Sequence, residues 1–292
     1  MIIRGLTCAL ILVGGCDQAC AYTAAGDRLF PATVLLPQIG PSDEAYATAS
    51  TLPQTGSGAD GRDSMVSITL DKTITEQLSL TMTAAYSVND EGDGRTGYGW
   101  QNFDAALQYL VFSSPEHEFL LSAGVDQNFG DTGAARVGAS AQGATTPELF
   151  FGKGLGDLPI GLLRPLAIAG YAGIQFADRA PRAGAVQSGL VVEYSFPYLD
   201  SKVATLVLPD FLRATTLMCE FAFTNPSADG AANPATALIA PGFNYAGAGF
   251  DVGVEALLPA TRATGRGIGF IAQIHLSLDY LNPSGIGHPV FQ

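Results

Sequence analysis

From residue 62 onward, apolar and more polar residues alternate with a period of two. Leu78, Leu80, Met82, Ala84, Tyr86 and Val88 interleave with Ser79, Thr81, Thr83, Ala85 and Ser87. Phe103, Ala105, Leu107, Tyr109 and Val111 interleave with Asn102, Asp104, Ala106, Gln108 and Leu110. The same rhythm sets Phe119, Leu121, Ala123 and Val125 against Leu120, Ser122, Gly124 and Asp126, and it runs through Phe250–Ala256 and Phe270–Leu278. Successive side chains of a strand point to opposite faces, so this period predicts strands with one apolar face. The segments run to about ten to thirteen residues, beyond the usual strand of globular proteins and near what a membrane-crossing strand needs. Eleven such segments follow residue 62: roughly 64–74, 77–88, 101–112, 118–128, 145–153, 164–176, 186–196, 213–223, 236–245, 249–258 and 267–280.

The connections alternate as well. Thr75-Glu76 and 113–117 are short, whereas 89–100, 129–146 and 224–233 are long and rich in Gly, Ala, Asp and Asn. Short periplasmic turns and long extracellular loops are the layout of an outer-membrane barrel, whose strand number in single-chain bacterial proteins is even. A short first turn on the periplasmic side requires one earlier crossing, supplied by a weak strand near Ala45–Leu52. The expectation is an all-β fold, an antiparallel transmembrane β-barrel of about 12 strands. It spans 45–280, after an N-terminal periplasmic segment (22–44) and before a C-terminal tail (281–292).

Composition supports lipid on the outside. Of the 292 residues 47% are apolar and only 14% are charged, against roughly 25% charged in ordinary soluble domains. A soluble β-sandwich or lipocalin-like barrel would show the same period. Its polar face would meet water and carry many Lys and Glu, whereas here that face carries Ser, Thr, Gly, Ala and Gln with a few acids. The longest uncharged stretch, 230–250, holds two prolines and two asparagines and does not read as a spanning helix. Residues 1–21 read as a cleaved export signal, with Arg4, an uncharged 5–15 core and Ala19-Cys20-Ala21 before the cut. A competing reading makes Val13-Gly14-Gly15-Cys16 a lipoprotein box and Cys16 a lipidated N-terminus. Cleavage after Ala21 leaves Cys219 alone, so no internal disulfide forms.

There are 27 acids against 14 bases, a formal charge of −13, which excludes the basic footprint of a nucleic-acid binder. With the apolar set facing lipid, Asp71, Asp104, Asp126, Glu193, Glu220, Asp251, Glu255, His275 and Asp279 fall on the inner face. Bases are nearly absent from the strand interiors, so the lumen reads as acidic and suited to cationic or neutral solutes. These acids equally serve to solvate a water-filled interior or to pair with loop arginines. Gln273, His275, Ser277 and Asp279 share one face, which raises a barrel hydrolase. Same-face neighbours are about 6.6 Å apart along a strand, too far for a nucleophile–base hydrogen bond, so no catalytic residues are assigned. No Cys/His cluster has zinc spacing, no metal or other cofactor is implied, and nothing marks a plug domain. Large inner residues (Leu110, Leu120, Val191, Tyr171) leave a filled, non-conducting structural or anchoring barrel as the alternative.

Several stretches carry a family resemblance: Glu148-Leu-Phe-Phe-Gly-Lys-Gly, Glu193-Tyr-Ser-Phe-Pro-Tyr-Leu, Leu208-Pro-Asp-Phe, Gly253-Val-Glu-Ala-Leu-Leu-Pro, Gly267-Ile-Gly-Phe-Ile-Ala-Gln-Ile-His-Leu-Ser-Leu-Asp, and the tail Gly287-His-Pro-Val-Phe-Gln. Over 145–292 they resemble a family of proteobacterial outer-membrane barrels similar to the meta-pathway phenol degradation transporter-like proteins. That resemblance implies a barrel that moves small molecules, and it supplies no functional residues. The tail departs from the usual pattern, because Gln292 follows Phe291 where assembly signals end on the aromatic. The partners expected are outer-membrane lipid, the barrel-assembly machinery during insertion and a small-molecule solute, with passive transport across the bacterial outer membrane.

Overall fold

A computed structural model describes residues 23–53, 61–179, 184–205, 207–226 and 234–291. The export signal, Cys16, most of the 224–233 loop and Gln292 lie outside the described residues. A hairpin of β1 (Thr23–Ala25) and β2 (Arg28–Phe30) comes first. The barrel strands are β3 (Glu44–Pro53), β4 (Arg62–Thr75), β5 (Leu78–Asp90), β7 (Phe103–Ser114), β8 (Phe119–Phe129), β9 (Ala144–Gly154), β10 (Leu166–Ala177), β11 (Gly184–Ser195), β12 (Thr215–Pro226), β13 (Thr236–Ala246), β14 (Phe250–Pro259) and β15 (Gly269–Ser277). A short β6 (Thr96–Trp100) pairs with the far end of β5. Each barrel strand pairs antiparallel with its chain neighbours, and the ring closes where β15 meets β3, from Phe270 opposite Thr51 to Ser277 opposite Glu44. The fold is a closed twelve-strand antiparallel barrel. The weak strand near Ala45–Leu52 is β3, the crossing that the parity argument requires.

The alternation maps onto the wall residue by residue. In β15, Gly269, Ile271, Gln273, His275 and Ser277 are buried, while Phe270, Ala272, Ile274 and Leu276 are exposed. Outward residues such as Ile68 (65% exposed), Leu149 (58%) and Phe270 (57%) form an apolar belt around the ring. Aromatic pairs mark both rims: Phe103 with Phe129 and Tyr86 with Trp100 at one, Phe112 with Phe119 at the other. An apolar belt between two aromatic girdles is what a barrel presents to a bilayer. Ile68→Arg, at mid-strand in β4, is therefore expected to cost about 2–4 kcal/mol in urea unfolding from lipid vesicles. A change near zero would place that face in water.

The first and last described segments lie at one rim, here the termini mouth; the opposite rim is the loop mouth. Two connections at the termini mouth, 155–165 and 196–214, fall in the gaps between the segments read from sequence but are not short turns of the barrel layout, and both contain short helical turns. The last strand also ends early. Ser277 caps the helix Leu278–Leu281 by accepting from the Tyr280 N–H, so Asp279 leaves the wall for the mouth instead of lining the lumen. The tail then runs beside the end of β4, where the Val290 and Phe291 N–H groups donate to the Thr73 and Ile74 carbonyls at 3.2 and 2.8 Å.

The largest correction concerns 22–44, expected outside the barrel. Residues 31–43 instead enter the lumen from the termini mouth, turn near mid-height and return to start β3. Ala32, Val34, Leu36 and Ile39 are buried at 0–7% exposure, and the last three pack with Leu120, Phe150, Val191 and Met218 of the wall. The cause is composition. Pro31, Pro37 and Pro41 prevent a regular strand or helix, and an apolar run left in water would forfeit its burial. The wall accommodates it with glycines: a Cβ at Gly189 would stand 2.5 Å from Leu36, and one at Gly253 would collide with Val34. The segment is a plug, which the sequence reading did not anticipate.

Candidate functional site

Two anchors hold the plug. At the termini mouth Arg28, fully buried, pairs through Nε with Glu118 at 3.3 Å. Its Nη1 donates to the Pro165 carbonyl (3.1 Å) and its Nη2 to those of Arg164 (2.6 Å) and Leu166 (3.2 Å). The guanidinium lies 3.9 Å over the Tyr198 ring. Glu118 also accepts from the Tyr198 hydroxyl at 2.7 Å and the Gly156 N–H at 3.1 Å. Burial, and then that hydrogen bond, push the Tyr198 phenol up to about 12, so it stays a donor through the physiological range. Arg28 is the one buried Lys or Arg among the described residues.

The second anchor is mid-lumen. The N–H groups of Val34, Leu35 and Leu36 donate to the Glu220 carboxylate at 2.6, 3.1 and 2.7 Å. Consecutive N–H groups converging on a carboxylate form an anion-binding nest, and the Thr33 hydroxyl closes the turn by donating to the Leu36 carbonyl at 2.7 Å. Asn244 donates to the Ala32 carbonyl and Gln108 to that of Gln38. Near the return to β3, Ser42 donates to Asp71 at 3.0 Å and Lys72 pairs with Asp43.

Above the plug tip the lumen is polar. A cavity of about 260 Å3 has Pro37 and Gln38 on its floor and Asp71, Asp126, Glu148 and Tyr171 among its walls. A second, of about 600 Å3, shares Thr83 with it and reaches the loop mouth past Asp104, Asn128 and Gln175. Asp104, Asp126 and Glu148 sit on three successive strands, one per strand. Glu148 is missing from the inner set read from sequence. Its parity with Phe150 and Gly152 on β9 was the available signal, obscured by the large Phe150 on the same face.

The predicted inner residues separate into three groups. Asp104 and Asp126 face the polar upper lumen, where Asp104 accepts from Asn128 at 2.7 Å; Asp71 lines the chamber beside the plug. Glu193, Glu220 and Glu255 are buried behind the plug at 2%, 0% and 1% exposure. Asp251 and His275 lie buried and in register at the β14–β15 pair. His275 is locked at the seam: Nδ1 meets Glu44 at 2.8 Å, Nε2 meets Gln273 at 2.5 Å, and its ring stacks on Tyr46. Ser277 donates to Asp279 and caps a helix. These residues therefore do not assemble a nucleophile with a base. Among the described residues no three His, Cys, Asp or Glu stand where they could share a metal ion.

Solved structures of the same architecture exist. The COG4313 outer membrane channel from Pseudomonas putida F1 superposes with a TM-score of 0.56 at 12% identity, covering 85% of this chain and 99% of that one. The fold is that of an outer-membrane barrel. The β-domain of the Bordetella autotransporter Brka superposes at 0.50 with 14% identity, over 81% of this chain and 100% of that one. A KdgM porin aligns more loosely, at 0.47 and 11% identity, over 80% and 98%. No family model and no curated protein matches the chain. At these identities the likeness is one of fold.

Proposed function

We propose that the chain is a passive outer-membrane channel for small solutes, closed in this structure by its own N-terminal segment. The termini mouth faces the periplasm and the loop mouth the exterior, after export by a cleaved signal. The surrounding lipid and the barrel-assembly machinery are its membrane partners, and the transporter-like proteins of meta-pathway phenol degradation are its proposed relatives. The observation that carries the reading is the pair of polar cavities descending from the loop mouth to the plug tip, lined by Asp104, Asp126, Glu148 and Asp71. Carboxylates along a low-dielectric tube attract cations and repel anions, so the proposed solutes are cationic or neutral and polar.

Planar-bilayer recording across a potassium chloride gradient tests the charge preference. The expected reversal potential favours potassium over chloride. A reversal potential favouring chloride would overturn it. A second reading, a non-conducting structural barrel, is favoured by the apolar packing between plug and wall. Liposome swelling separates the two: a channel admits small sugars and organic cations, and a structural barrel admits neither.

A further inference from the structure

The wall behind the plug holds more acceptors than the plug uses. Glu220 receives three N–H donors, but both carboxylate oxygens of Glu193 are buried without a hydrogen-bond partner, and those of Glu255 face no donor except a proton shared with Glu220. Glu220 stands between the other two, in reach of Glu193 on one side and of Glu255 on the other. Glu193, on β11, is within electrostatic reach of Arg28 and Glu220. Glu255, on β14, reaches across Gly242 toward Glu220, its Cγ only 2.6 Å from where a Cβ on that glycine would stand. The glycine in β13 lets two carboxylates approach from strands that are not neighbours. Leaving such groups buried without an N–H or O–H donor costs stability; in the closed barrel a proton shared with Glu220 is what relieves Glu255, and Glu193 has only the charge of Arg28.

The donors that the plug offers have a recognisable chemistry. The three N–H groups that converge on Glu220 are donors of the kind an ammonium or guanidinium also supplies, and Glu193 already stands within electrostatic reach of the guanidinium of Arg28. We propose that Glu193, Glu220 and Glu255 form a binding site for the ammonium or guanidinium group of an organic cation, which the plug occupies as an internal stand-in. The proposal rests on the channel reading and names its solute class. When the plug withdraws, the arriving cation replaces the lost N–H donors at Glu220. It also satisfies the acceptors of Glu193 and Glu255 that the plug leaves empty. The site then holds solute most strongly in the open state, where the solute competes with closure.

The test uses the chain with residues 31–42 replaced by a Gly/Ser linker, with and without Glu193→Gln, Glu220→Gln and Glu255→Gln together. Sodium current is recorded in planar bilayers against propylguanidinium, with tetramethylammonium as a cation that has no N–H donors. Propylguanidinium is expected to block the linker chain, with a half-blocking concentration about tenfold higher in the triple variant, the scale of one lost charge-assisted bond. Tetramethylammonium should block less, and its block should shift less between the two chains, because it loses only the charge attraction and no hydrogen bond. Equal propylguanidinium block in the two chains, or equal block by the two cations, overturns the site while leaving the channel reading in place. A linker chain that carries no more current than the full chain overturns the channel reading and the site with it. If the triple variant does not insert, Glu255→Gln alone, which spares the Glu220 bonds, gives the same comparison with a smaller shift.

Discussion

Replacing residues 31–42 with a Gly/Ser linker of equal length is expected to raise mean conductance roughly 100-fold, because a segment held by about 3 kcal/mol is displaced less than one part in a hundred. The physical basis is the filling of the lower lumen. Val34, Leu36 and Ile39 pack against Leu120, Phe150, Val191 and Met218, and three N–H groups are fixed on Glu220. A Gly/Ser linker has no side chains to occupy the space over Gly189 and Gly253. It also lacks Pro31, Pro37 and Pro41, which bend the native segment inward. The hairpin of β1 and β2 and its Arg28 anchor remain, so the change is confined to the obstruction. Single-channel recording in planar bilayers measures it. An unchanged conductance would mean that the wall's own large residues, such as Leu110 and Tyr171, close the barrel without help.

Arg28→Ala is expected to destabilise the folded chain by about 3 kcal/mol, the lower end of the cost of removing one partner of a buried ion pair. The lower end applies because Glu118 keeps two donors, the Tyr198 hydroxyl and the Gly156 N–H. Three carbonyls, of Arg164, Pro165 and Leu166, lose their donor at the same time. Arg28→Lys recovers little, since a point charge cannot serve a carboxylate and three carbonyls as the planar fork does. Equilibrium urea unfolding in lipid vesicles reads the loss, and hydrogen exchange at Leu29 and Phe30 locates it in the hairpin. A loss under about 1 kcal/mol, the scale of an exposed pair, would mean that the anchor contributes nothing beyond a surface contact. Conductance should rise less than with the linker, because Glu220 still holds Val34, Leu35 and Leu36.

What was legible in the sequence was legible for a local reason. A strand's side chains alternate whatever surrounds it, so Ser122, Glu220 and Gln273 were assigned inward without knowledge of any neighbour, and all three are buried. The strand number followed from one short turn and the even-number rule. Two wall positions escaped: Asp279, because a serine cap ended the strand two residues before it, and Glu148, because an aromatic on the same face obscured the period.

The plug was not legible, although its materials were in view. The run from Pro31 to Pro41 is apolar and has no period, and Arg28 is the only base between residues 5 and 61. Neither feature says where the segment goes. Its partners are Glu118, Pro165, Gly189, Glu220, Asn244 and Gly253, up to about two hundred residues away in the chain. By itself, then, the sequence determined a twelve-strand barrel with lipid outside and carboxylates inside, because alternation, strand length and turn spacing are properties of neighbouring residues. Only the tertiary structure decided that the lumen is occupied, which carboxylates the plug covers and which it leaves unpaired. Those outcomes depend on side chains from distant strands converging in a space that exists only once the ring has closed.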